Sequence, residues 1–168
     1  HRFVAEAARK NLFARAFKAE VKAPADLADL VDRLLARSVL GSLGLARKAG
    51  AVVLGAAKTE AAVRSGSALF VLHAQEASAD GVRKVTQARR AVAYQEGPDI
   101  PAWNLFPEAE LGLALGGTNV IHAAVLASEA GKAVLKRMVA LDRYRGGSPA
   151  DRMAVVADLE RETAKDTE

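Results

Sequence analysis

The chain has 168 residues, 51% of them hydrophobic but only 5% aromatic, enough for one domain plus a smaller appendage with a core of closely packed helices. It contains no cysteine, which removes disulfides and thiolate metal sites, and no apolar run reaches the roughly 18 to 20 residues of a membrane span. Residues 150–168 hold six acids against three bases, a net −3, so a whole-chain charge of +4 leaves +7 on the preceding 149 residues. A basic body with an acidic tail suits a polyanion partner, although solubility alone also accounts for it.

In chain order, residues 3–19 space Phe3, Ala7, Ala14 and Phe17 among four cations, a short basic amphipathic helix. Residues 21–23 read as extended. Pro24 then opens a helix whose apolar positions Leu27, Leu30, Val31, Leu34 and Leu35 run toward Ala49, with Gly41 and Gly44 marking a break or a close packing contact. Arg47 and Lys48 end it before Gly50. The run 51–54 is a strand that stops on Gly55, directly before a helix over 56–65. A strand joined to a helix through glycine leaves free backbone N–H groups pointing outward, a seat for phosphate. The next strand, 69–73, leads through Ser78 as N-cap to a helix over 79–90. A short strand over 91–95 and a proline-containing loop over 96–107 follow. The remaining elements are a helix over 108–115, a strand over 120–126 and a helix over 129–143. Past Gly146-Gly147 the spacing of Met153, Val156 and Leu159 is again helical. Alternating strands and helices predict an α/β domain with a parallel or mixed sheet.

Little in the chain suggests catalysis. His73 and His122 fall within strands and are expected to be packed there. No metal-binding histidine spacing and no nucleophile elbow is present, so neither a cofactor nor a metal is expected. Glu76 and Asp80 are read as capping the helix that follows them rather than as an acid–base pair. Arg83-Lys84 and Arg89-Arg90 are expected on a solvated outer face. Trp103 is expected to plug the edge of the core.

Several blocks resemble one family in order and spacing: Gly44-Leu45-Ala46-Arg47-Lys48-Ala49-Gly50, Val53-Leu54-Gly55, Ala62-Val63-Arg64-Ser65-Gly66, the strand from Leu69, Glu76-Ala77-Ser78, and Glu110 to Gly116. The family is that of kink-turn RNA-binding, ribosomal-type proteins, in particular the bacterial YlxQ-like members. The likeness covers about residues 38–145 and implies a three-layer α-β-α sandwich around a four-stranded mixed sheet, preceded by an N-terminal helical appendage. Residues 1–37 resemble the end of a YlxR-like module, whose front half is expected to precede His1 in a longer protein. Residues 146–168 would be an acidic helix or tail. The resemblance implies a cytoplasmic, non-catalytic partner of structured RNA, ribosomal or precursor. The RNA would be held by Arg47, Lys48, Gly55, Lys58 and the loop Gly117-Thr118-Asn119, with transcription or translation factors as further partners.

The family's strong readers carry an Asn-Glu pair just after the turn and a Lys three residues on, which contact the sheared G·A pairs of the bend. This chain has Ala57, Lys58 and Ala61 there. The backbone cradle and one cation survive, and the base readers do not. Phosphate contacts bind and position while base contacts specify, so RNA affinity with weakened kink-turn selectivity is expected. A protein-interaction module in transcription or ribosome assembly, with kink-turn recognition lost, is the alternative.

Overall fold

A computed structural model describes residues 24–147; the expected elements over 3–23 and past residue 147 lie outside the described residues. Helix α1 (Pro24–Lys48) runs unbroken through Arg37, Gly41 and Gly44. Its buried stripe, Val39, Leu43 and Ala46, keeps a helical period. Gly44 is a close packing contact, since a Cβ there would lie 3.1 Å from the carbonyl oxygen of Ala114. The other elements are β1 (Val52–Leu54), α2 (Ala56–Arg64), β2 (Ala68–Ala74), α3 (Ala79–Tyr94), β3 (Ala102–Phe106), α4 (Glu108–Leu115), β4 (His122–Leu126) and α5 (Glu129–Tyr144).

The sheet order is β1-β4-β2-β3. β4 runs antiparallel to both β1 and β2, and β3 lies parallel to β2 on the edge. Side chains alternate across the sheet, so each strand feeds two cores. Phe70, Leu72, Ala123 and Val125 face α1, α4 and α5, meeting Leu43, Leu111 and Met138. Val71 and Ala124 face α2 and α3, meeting Val63, Val85 and Ala88. The result is the expected α-β-α sandwich.

Residues 91–95 are not a strand: 91–94 form the last turn of α3, and Gln95 is its C-cap. Val92 lies seven residues beyond Val85 on the same buried face, and core burial extends the helix to Tyr94. Glu96, at φ 62°, turns the chain, and the Gly97 N–H closes on the Val92 carbonyl at 2.9 Å. The third strand comes instead from within the expected loop. Trp103 and Phe106 are buried while Asn104 is exposed, and the Trp103 ring meets Phe70 edge-on at 5.5 Å. Pro101 and Pro107 bracket β3, which is tolerated because an edge strand has one unpaired side.

α5 is fastened back along α1. The Tyr144 hydroxyl donates to the Ala28 carbonyl at 2.7 Å, and Arg145 grips Asp32 with two bonds, 2.8 Å from Nε and 3.0 Å from Nη2. Two-pronged pairing of this kind exceeds an ordinary surface ion pair. Asp32→Asn is therefore expected to lower unfolding free energy by about 1 kcal/mol, a loss that shrinks in urea titrations at 1 M salt.

Candidate nucleic-acid interface

Gly55 sits at φ 99° and ψ 155°, a region essentially reserved for glycine. Its N–H donates to the His122 carbonyl at 2.9 Å, pinning the turn to the start of β4. No side chain caps α2, and its first turn carries no acid. Each of the other four described helices has a carboxylate in its first turn. Gly55, Ala56, Ala57 and Lys58 are all exposed, and a Cβ on Gly55 would meet nothing within 4 Å. The start of α2 is therefore bare backbone with one cation, a geometry that takes an anion.

The loop Gly117-Thr118-Asn119 lies beside this turn. A Cβ on Gly117 would come within 3.5 Å of the end of the Leu54 side chain, the residue before Gly55. Asn119 adopts φ 55°, a left-handed conformation that asparagine tolerates, and the chain then enters β4. On its other flank the loop shares an open depression with Glu76 and Glu108. Glu76 does not cap α3 as its position suggests: both its oxygens accept from the Glu108 N–H, at 3.0 and 3.1 Å, and so cap α4. Ser78 caps α3, accepting from the Gly81 N–H at 3.1 Å, and Asp80 pairs with Arg83 and Lys84.

Arg47 and Lys48 are exposed but belong to the far end of β1. Arg47 Nη1 donates to the Val52 carbonyl at 3.1 Å, at the strand's start. Three residues of strand, about 10 Å at about 3.3 Å per residue, separate that point from Gly55. The Gly55 turn and the 117–119 loop are thus neighbours, Lys58 lies in the first turn of α2, and Arg47 and Lys48 lie toward the other end of β1.

A second polar constellation went unseen in the sequence. The register pairs His73 with His122, and their rings meet Nδ1 to Nδ1 at 2.8 Å, both buried. Burial, then the charges of His122 and Arg89, pushes His73 from the usual 6.5 down to about 4, and burial also lowers His122. Arg89 is not on a solvated face: it is 5% exposed, and its Nε donates to the Ile100 carbonyl. Its place seven residues before Glu96, one turn from Val85 and Val92, is the signal that could have shown this.

The sequence matches no protein-family model and no curated protein. Among solved structures, a protein of unknown function from Bacillus halodurans shares the fold at a TM-score of 0.51 and 22% identity, over 60% of this chain and 95% of its own. The Giardia lamblia 15.5 kDa RNA-binding protein gives a TM-score of 0.49 and 20% identity, over 66% of this chain and 89% of its own, a likeness too slight to carry an argument. The likeness to the Bacillus halodurans protein shows a fold and nothing further. Among the described residues no helix is long and apolar enough to cross a membrane.

Proposed function

We propose that this chain is a non-catalytic cytoplasmic protein that binds structured RNA, of ribosomal or precursor kind, through the patch around Gly55. The single observation supporting this is the bare N-terminus of α2: uncapped, exposed, free of acids in its first turn, and bearing Lys58. A backbone phosphate seated there meets free N–H groups, the positive end of the helix dipole and an ammonium group together. The 117–119 loop has Glu76 and Glu108 on its other side, so it contributes shape and hydrogen bonds rather than a phosphate seat. Ala57 and Ala61, both exposed, offer no donor or acceptor to a base edge. Recognition therefore rests on phosphate and shape, with kink-turn selectivity weakened.

The test is a titration against a kink-turn RNA, the same duplex without its bulge, and a DNA duplex, at two salt concentrations. The expected result is binding to both RNAs that is tighter than to DNA, with a modest preference for the bulge and a clear salt slope. Absence of binding at low salt overturns the proposal, and equal binding to all three overturns recognition of RNA shape.

A further inference from the structure

Helices α1 and α4 leave an open groove between them, lined by Leu40, Gly41, Gly44, Glu110, Leu113 and Ala114. Among the described residues four large apolar or aromatic side chains are exposed, and three of them gather here. Leu113, 88% exposed, stands on the α4 wall. Leu34 and Leu45 lie seven residues before and four residues after Gly41, on one line along α1. A glycine inside a helix costs about 1 kcal/mol relative to alanine. Gly44 is explained by its approach to the Ala114 carbonyl, but a Cβ on Gly41 would meet nothing within 4 Å. Bare backbone beside exposed leucines gives a further helix room to approach closely.

Residues 148–168 lie outside the described residues, and their sequence supplies what the groove takes. Met153, Val156 and Leu159 recur at helical spacing. Ser148-Pro149 shortly before Asp151 is a helix-start signature of N-cap, first-turn proline and first-turn acid. Asp151, Asp158 and Glu162, at i, i+7 and i+11, fall to one side of that apolar stripe. On α1, Arg37 and Arg33 are exposed one and two turns before Gly41. The other outlying stretch, residues 1–23, holds six bases against two acids and would bring like charge to those arginines. Opposite charge selects the C-terminal segment. The chain also leaves the described fold at the right place. Arg145 is tied to Asp32, and its Nη1 donates to the Leu105 carbonyl at 3.4 Å. The Asp32 bond foremost, and the Glu110 charge as well, raise the Arg145 value, which puts Arg145 within electrostatic reach of the α4 wall. From Asp32 to Gly41 is about 14 Å of helix at about 1.5 Å per residue, and the chain from Gly147 to Met153 spans up to about 20 Å.

We infer that the segment 151–162 docks as a helix in the groove between α1 and α4, with Met153, Val156 and Leu159 against Gly41 and Leu113 and its acids beside Arg33 and Arg37. The chain thus covers its own exposed leucines with its C-terminal segment. Neither Gly55 nor Lys58 takes part, so this docking stands or falls independently of RNA binding.

The chain has no cysteine, so paired substitutions in the full chain report proximity cleanly. In a glutathione buffer, Leu113→Cys with Val156→Cys is expected to close an intramolecular disulfide at least tenfold faster than Asp29→Cys with Val156→Cys. Asp29 is exposed and lies on α1 beside Ala28, where Tyr144 is anchored, so an undocked segment would reach it at least as readily. Hydrogen exchange of the unsubstituted chain should show protected amides over 153–160, and Leu113→Glu should remove that protection at least tenfold. Near-ultraviolet spectra matching the parent confirm that the core folds in each variant. Equal closure rates in the two cysteine pairs overturn the inference. A disulfide formed mainly between copies overturns it too, and assigns the groove to a second copy of the chain. Unprotected amides over 153–160, or protection that Leu113→Glu leaves unchanged, likewise remove the segment from the groove.

Discussion

Lys58→Glu should move RNA affinity and protein stability in opposite directions. Lys58 is the third residue of α2, exposed, on a helix with no acid in its first turn and no side-chain cap. A glutamate there meets the positive end of the dipole and stabilises the helix by about 0.3–1 kcal/mol at low salt. The same carboxylate occupies the field in which a phosphate would sit and replaces an attractive contact with a repulsive one. Losing a charge-assisted contact of about 2–3 kcal/mol weakens RNA binding roughly a hundredfold. Urea denaturation and an RNA titration on the same sample read both effects. Most substitutions that weaken binding by damaging the fold lower stability as well, so the opposed signs separate the proposed seat from simple disruption. Unchanged RNA affinity in a variant at least as stable as the parent would remove α2 from the binding surface.

The contrast between α2 and the other helices was partly legible in the sequence. Gly55 between a β-branched run and Ala-Ala-Lys marks a strand-to-helix turn, and the absence of Asp or Glu over 56–58 can be read directly. The neighbour of that turn was not legible without the resemblance. The 117–119 loop comes from more than 60 positions away and is placed by the β1–β4 pairing, in which Leu54 sits opposite Ala123. The same nonlocality hid the histidine pair, because only the β2–β4 register sets His73 beside His122. The missed strand had a different cause. Residues 102–106 carry the alternation of a half-buried strand, with Trp103 and Phe106 inward and Asn104 outward. Their flanking prolines suggest a loop unless the strand lies on an edge, and edge position is a property of the assembled sheet. Conversely, Ala91 to Tyr94 alternate like a strand but follow Val85 and Ala88 at helical spacing, and burial against the sheet favours the helix.

Glu76 shows how a correct local chemistry can be assigned to the wrong partner. A carboxylate shortly before a helix is a fair capping candidate. Ser78 holds that place at α3, however, and Glu76 reaches 32 residues along the chain to the Glu108 N–H. The capping carboxylate thereby ties the end of β2 to the start of α4. It also places a fixed negative charge beside the 117–119 loop, and so confines the electropositive part of the patch to the α2 side.

Acid should loosen this fold well above the range in which its carboxylates titrate. His73 has its folded-state value pushed from 6.5 to about 4, chiefly by burial, and His122 moves in the same direction. A lowered folded value means that the unfolded chain binds more protons than the folded chain between those limits. Stability is thus full above about pH 6.5 and falls as pH drops toward about 4, by about 1.4 kcal/mol per pH unit for each proton taken up. For His73 alone the loss across that window is about 3 kcal/mol, a large share of the 5–15 kcal/mol typical of a domain. Asp32, which Arg145 holds below the usual 3.8, contributes in a lower window and does not blur this one. Urea denaturation at pH 7.5, 6 and 5 should show the midpoint falling with a nearly constant denaturant slope. The double variant His73→Leu, His122→Leu replaces both titrating rings with apolar side chains and should flatten the profile between pH 7.5 and 5. A parent protein equally stable at both ends of that range would mean that the rings take up protons as readily folded as unfolded, and would overturn the cost assigned here to burying them.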